Sequence, residues 1–232
     1  MFISFGLSLQ KKMKSKINQT LLTLIVIFLF SCSSEKSTNK HAESKSDLNK
    51  SELISIMLDK NKTEIIWQGY KTTQKIGVPG VFKEFSTNKD GQDFSNINDL
   101  VSGLEFEINS ASSFSGDSSR DYNLKENFFN FLSEDFKIKG VFSEPEGDSV
   151  NITFDIFGLP KQVKFGYAIS SANLIEIKGT IDLEKQFGAI KAYNAVSKKC
   201  YDLHKGSDGV SKTWKTVDVH VKAYVVEKIN KD

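Results

Sequence analysis

Hydrophobic and polar residues alternate along most of the chain after Thr63, the period of strands with one face in a core and one in water. Leu104, Phe106 and Ile108 alternate with Glu105, Glu107 and Asn109. Val150, Ile152, Phe154 and Ile156 repeat the pattern, as do Val163, Phe165, Tyr167 and Ile169. A further run places Ile175, Ile177, Gly179, Ile181 and Leu183 on one face, and a last one Val217, Val219, Val221, Ala223 and Val225. With Ile65, Trp67 and Gly69, residues 78–85 and residues 136–142, the pattern predicts about eight strands. Few segments between them have the length of a crossover helix, so neighbours pair antiparallel. Such strands leave exposed edges unless they pack as a sandwich or close into a barrel. The length favours a barrel over residues 63–228, with glycines 69, 77, 80, 140, 158 and 179 at the bends of coiled strands.

Two segments break the alternation. Asn123 and Glu126 have the spacing of a capping box, and Leu124, Phe128 and Phe131 then share a helical face widened by Phe129 and Leu132. This helix is suited to plug one end of the barrel. From 190 to 203, Ile190, Tyr193, Val196, Cys200 and Leu203 recur at three and four, predicting a second short helix.

The pattern changes at the N-terminus. Lys11, Lys12, Lys14 and Lys16 precede an apolar run from Leu21 to Phe30, closed by Ser31 and Cys32. That run is about half the roughly 20 residues a spanning helix needs. Leu29 three places before Cys32 suits a lipoprotein signal better than an ordinary secretory one. Residues 1–31 are therefore expected to be a lipoprotein signal peptide, with Met13 as an alternative start, and Cys32 the lipidated mature N-terminus. Residues 32–62 are polar and read as a flexible tether, their weak apolar patch at 53–58 as a short docking helix. The location expected is the cell envelope, on a membrane-anchored lipoprotein at the outer membrane facing the periplasm.

Composition narrows the chemistry. A net charge of +2, with 31 basic and 29 acidic residues, gives no electrostatic case for nucleic acid. With Cys32 lipidated, Cys200 stands without a disulfide partner. Cys200 and His204 lie one helical turn apart, a weak nucleophile pair with no orienting third group. The three histidines lack ligand spacing, which argues against a metal, and no phosphate-binding loop or nucleophile elbow is present. No catalytic residue and no cofactor is expected. Aromatic content is high, with 18 Phe, 6 Tyr and 2 Trp. An eight-stranded barrel full of such residues either packs solid or holds one small ligand, and the pattern alone favours a filled core.

The segment 110–129, with Arg120, Asp121, Leu124, Phe128 and Phe129, resembles the most recognisable stretch of the YceI-like family. Residues 65–70 with Gly80 and Phe82, residues 156–163, and residues 179–182 with Phe187 and Gly188 resemble three further family elements in the same order. The chain departs at Tyr122 and Asn123, at Leu183 in place of an arginine, and over residues 190–214. The resemblance implies an antiparallel, lipocalin-like β-barrel that is not an enzyme and holds a polyisoprenoid in an apolar tunnel.

On that reading the ligand is an isoprenoid or similar apolar lipid, such as a prenyl quinone. Its expected contacts are Trp67, Phe82, Phe106, Phe128, Phe129, Phe154, Phe165, Tyr167, Ile177 and Phe187, while Arg120 and Asp121 form a structural pair pinning the helix start. The alternative is a non-catalytic structural or stress-related envelope module with a filled core and a protein partner. A homodimer is left open by the pattern.

Overall fold

A computed structural model describes residues 53–171 and 173–230. The signal peptide, Cys32 and the tether up to residue 52 lie outside the described residues. The described residues form ten strands, β1 (Leu53–Lys71), β2 (Ile76–Phe82), β3 (Phe85–Thr87), β4 (Glu105–Asn109), β5 (Ser113–Phe114), β6 (Lys137–Phe142), β7 (Ser149–Ile156), β8 (Leu159–Ser171), β9 (Leu174–Asp182) and β10 (Thr216–Asn230), and the short helices α1 (Ile97–Val101), α2 (Ser118–Leu124), α3 (Asn130–Leu132) and α4 (Ile190–Lys199). All ladders are antiparallel, in the order β3-β4-β6-β7-β8-β9-β10-β1-β2-β5.

The count of ten reconciles with the eight expected. β2 runs into β3 across a bend at Lys83 and Glu84, and β4 runs into β5 through the turn Ser110–Ser112. The two bent segments pair along their length: Val81 with Phe114, Phe82 with Ser113, Phe85 with Ile108 and Thr87 with Phe106. Backbone bonds from Lys83 N to Ser112 O (3.3 Å) and from Asn109 N to Glu84 O (3.0 Å) bridge the bends. Eight chain segments therefore curl the sheet back on itself as a lipocalin-like barrel, with a continuous wall on one side and a short seam here.

Three sequence expectations need correction. The patch at 53–58, expected as a docking helix in the tether, is the first part of β1, pairing Leu53 with Asn230 through Asp59 with Tyr224. Its alternation is masked at the bulge between Asp59 and Glu64, where residues 60–63 leave the ladder. The first long helix starts not at Asn123 but at α2 (Ser118–Leu124), because Asp117 accepts the Arg120 backbone N–H at 2.9 Å and caps it. Asn123 is buried inside that helix. A single π-helical turn, Lys125–Phe129, follows and inserts an extra residue. It rotates the stripe so that Phe129 and Leu132 are buried while Phe131 is 48% exposed.

The second helix is present as α4 (Ile190–Lys199), burying Ala192 and Val196, with Cys200 buried just after it and Leu203 exposed. It packs on the π-turn and on the short helical end Asn130–Leu132. Ile169, expected inward, is exposed beside a register shift in the β8–β9 ladder.

The interior is divided along the barrel axis. One end is packed solid by Ile56, Leu58, Leu100, Val101, Val150, Phe165, Tyr167, Ile175 and Val225. Along the sheet, large rings lie over glycines. Trp67 pairs across the ladder with Gly80, Phe106 with Gly140, and Phe165 covers Gly179. A Cβ on any of these glycines would come within 2.2 to 2.6 Å of the ring, so the space of the missing side chain belongs to the aromatic.

Candidate ligand-binding cavity

The other end of the barrel is hollow. A cavity of about 370 Å³ lies between the inner faces of β1, β2, β9 and β10 and the helical layer made by α2, the π-turn and α4. The alternation of the strands builds its wall: Ile65, Trp67 and Gly69 from β1, Ile181 from β9, Val217 and Val219 from β10. The helical layer supplies Leu124, Phe128, Phe129, Leu132 and Val196. Phe82 and Phe128 each meet Phe129 edge-on, with centroids 5.6 and 5.2 Å apart, which fixes this aromatic corner. A Cβ on Gly69 would meet nothing within 4 Å, so this inward position contributes open space.

Of the ten ligand contacts expected from sequence, Trp67, Phe82, Phe128, Phe129, Phe154 and Phe187 line the cavity. Phe106, Phe165, Tyr167 and Ile177 lie outside its lining. Phe165, Tyr167 and Ile177 are buried in the packed core, while Phe106 stacks edge-on against Phe142 and Phe154 at 5.6 and 5.8 Å. Alternation identifies which face a residue takes; it does not give its level along the axis.

Sequence reasoning left several lining residues out of its contact set. Val217, Val219, Ile181 and Leu183 carried the alternation signal without being aromatic. Tyr193, Leu203, His204 and Trp214 come from the segment at 190–214 that departs from the family pattern. Leu183, where the YceI-like resemblance leads one to expect an arginine, makes that point of the wall apolar.

One side of the cavity is polar, with Lys71, Asp117, Arg120, His204 and Thr213 in the lining. Arg120 and Asp121 do not pair with each other, since neighbours on a helix point apart. Arg120 Nη2 approaches Asp117 Oδ2 at 3.6 Å. Asp121 Oδ1 instead accepts Ser115 N–H (2.9 Å) and Ser115 Oγ–H (2.6 Å), tying α2 to the chain just after β5. The backbone N–H of Arg120, followed by the charges of Arg120 and Lys71, holds the Asp117 carboxyl below its ordinary value.

Cys200 and His204 both border the cavity without forming a nucleophile pair. Burial pushes the Cys200 thiol up, against the opposing pull of Lys199 and Lys71. Burial, then Lys71, pushes His204 down, and its Nδ1 is engaged with Thr213 Oγ1 at 2.7 Å. A protonated thiol beside a neutral imidazole is the reverse of the thiolate–imidazolium pair that cysteine chemistry uses. Among the described residues no group of three or more His, Cys, Asp or Glu side chains could hold a metal ion.

No family model matches the chain, and no curated protein matches it. Solved structures do match. A polyisoprenoid binding domain from Saccharophagus degradans, implicated in plant cell wall breakdown, is 14% identical with a TM-score of 0.50, covering 75% of this chain and 98% of its own. Burkholderia cenocepacia BcnA is 16% identical with a TM-score of 0.46, covering 73% of this chain and 99% of its own. The Campylobacter jejuni YCEI protein is 18% identical with a TM-score of 0.41, covering 70% and 90%. At these identities the likeness is one of fold. The chain shares its fold with the Saccharophagus domain, and that fold is the architecture implied by the YceI-like resemblance of segment 110–129.

Proposed function

We propose that the protein is a YceI-like envelope lipoprotein that carries an isoprenoid or similar apolar lipid in the hollow end of its barrel. The observation that carries this reading is the 370 Å³ cavity between the Phe128 helix and the strands, walled mainly by aromatic and branched side chains. Such a wall offers a prenyl chain burial rather than hydrogen bonds, worth about 0.8 kcal/mol for each methylene-sized group removed from water. The volume lies within the range of about 300–1,000 Å³ usual for small-molecule sites. A filled-core module that works only by binding another protein would have no use for this space.

The lipidated Cys32 and the polar segment behind it complete the proposal. They would hold the barrel near the membrane from which an apolar ligand comes, with the outer membrane facing the periplasm as the expected site. Two or more acyl chains anchor a protein stably where one does not.

Native mass spectrometry of the protein purified from its host tests the reading. The expected result is a co-purified apolar lipid, or uptake of a prenyl quinone by protein stripped of lipid. A clean apo mass together with no uptake overturns it. Fractionation of inner and outer membranes, with mass analysis of the N-terminal peptide, tests the anchor.

A further inference from the structure

The cavity is not uniformly apolar, and the side chain that breaks the pattern is Lys71. On β1 the inward row runs Ile65, Trp67, Gly69, Lys71, so a lysine occupies a position where alternation calls for an apolar residue. It is half-buried and borders the cavity. Among the described residues its ammonium makes no ion pair and no side-chain hydrogen bond, although most lysines at this end of the barrel are engaged. Lys75 and Lys212 lie over the Trp214 ring, Lys205 is paired with Asp202, and Lys215 with Glu184.

The charges around it do not cancel. Lys71 and Arg120 contribute two positive charges to the lining and Asp117 one negative, leaving one positive charge in excess. Cys200 and His204, the other titratable groups close enough to feel Lys71, are held in their neutral forms by burial. Tyr193 and Tyr70 complete the titratable lining; Tyr70 donates its hydroxyl proton to Asp218 outside the cavity. The one carboxylate that Lys71 feels, Asp117, is already approached by Arg120 at 3.6 Å, and a half-buried cation with so small a share of a counter-charge is costly to maintain against apolar walls. A hydrocarbon or a neutral quinone would leave the excess positive charge uncompensated. An anionic oxygen would pair with it and accept from Ser119 or Thr213 as well, both of which border the same space.

We propose that Lys71, assisted by Arg120, receives the anionic headgroup of a single-chain amphiphile whose apolar tail fills the cavity. The ligand class is therefore an acidic lipid, such as a prenyl phosphate or a fatty acid, in preference to a neutral prenyl alcohol or quinone. This rests on the lipid-binding reading above and narrows it. Lys71 acts as the charged contact, Arg120 as the weaker one because Asp117 already engages it at 3.6 Å.

Calorimetric titration of the purified full chain with farnesyl monophosphate, farnesol and inorganic phosphate tests the assignment. Farnesyl monophosphate should bind about tenfold tighter than farnesol or better, the size expected of a charge-assisted hydrogen bond. Lys71→Met should bring the two ligands within about threefold of each other, with an unchanged circular dichroism spectrum showing that the variant is folded. Arg120→Gln should reduce the preference less. Equal binding of alcohol and phosphate, or a preference that survives Lys71→Met, overturns the headgroup site and leaves the cavity reading standing. Inorganic phosphate binding as tightly as farnesyl monophosphate identifies a free-anion site instead. Binding of neither farnesyl compound defeats both readings.

Discussion

Gly80 lies directly across the β1–β2 ladder from Trp67, and a Cβ at Gly80 would come within 2.2 Å of the indole Cζ2. The indole forms part of the cavity wall, so its position depends on the missing side chain opposite. Gly80→Ala should destabilise the barrel by about 1–3 kcal/mol, as overpacking does against a rigid ring. Denaturant midpoints, compared with the exposed-loop control Gly91→Ala in the left-handed conformation, separate crowding from backbone strain.

Val219 pairs with Trp67 on one side and Gly179 on the other, and its side chain faces the hollow end. Val219→Trp should fill cavity volume and reduce uptake of a prenyl ligand by about tenfold or more, while the thermal midpoint changes little because the added ring enters space already present. Ligand uptake and thermal unfolding measured on the same sample check this. Loss of stability without loss of uptake would contradict the placement of the site. Phe106→Arg, at a ligand contact expected from sequence, is a poorer probe, since Phe106 packs on Phe142 and Phe154 rather than on the cavity.

At the β7–β8 turn, Phe157 has φ of 56° and is 53% exposed, next to Gly158 at φ of 71°. Two consecutive left-handed residues form the turn that favours Asn followed by Gly. Phe157→Asn should therefore stabilise the protein by about 1 kcal/mol, read as a raised midpoint in urea.

The thiol of Cys200 should resist alkylation. Burial raises it and leaves it 7% exposed, so iodoacetamide near neutral pH should react at least about tenfold faster after unfolding than in the native state. A native thiol that reacts as fast as an unfolded one would reopen chemistry at Cys200 and His204.

His204 gives the stability a pH dependence of known sign. Its folded value lies below the ordinary 6.5, because of burial first and Lys71 second, so the unfolded chain takes up a proton more readily. The contribution is complete above the unfolded value and is lost as pH falls through it toward the folded value. His204→Gln should flatten the decline in stability as pH falls through and below the ordinary 6.5. A separate acid limb belongs to carboxylates such as Glu176, held at about 2 chiefly by its hydrogen bond from Lys178 and then by Ser170 and His220.

The barrel was legible because period-two alternation survives in residues 104–109, 150–156, 163–167 and 175–183, where one face is core and the other water. It failed where other constraints act. The bulge at 59–64 hid the first part of β1. Two capping candidates, Asp117 and Asn123, stand six residues apart, and the rule of an Asn before a Glu selected the wrong one. The π-turn at 125–129 is a departure from helical period that no periodic template contains. The cavity was half legible: aromatic residues on inward faces were found, but packed end and hollow end differ only in level. Lys71 was missed because it lies beyond the last apolar residue of its strand, where a polar residue reads as the start of a turn.

The β1–β10 ladder has a kinetic meaning as well as a structural one. Ladders between β6, β7, β8 and β9 join strands linked by short turns, whereas β1 and β10 bring together residues as distant as Leu53 and Asn230. Hairpins of the first kind form quickly; the second kind waits on closing a very long loop. Trp67 acquires its Val219 neighbour only in that step. The hollow end therefore takes its final form when the first strand meets the last, and the chain encloses its cavity only as a late event of its folding.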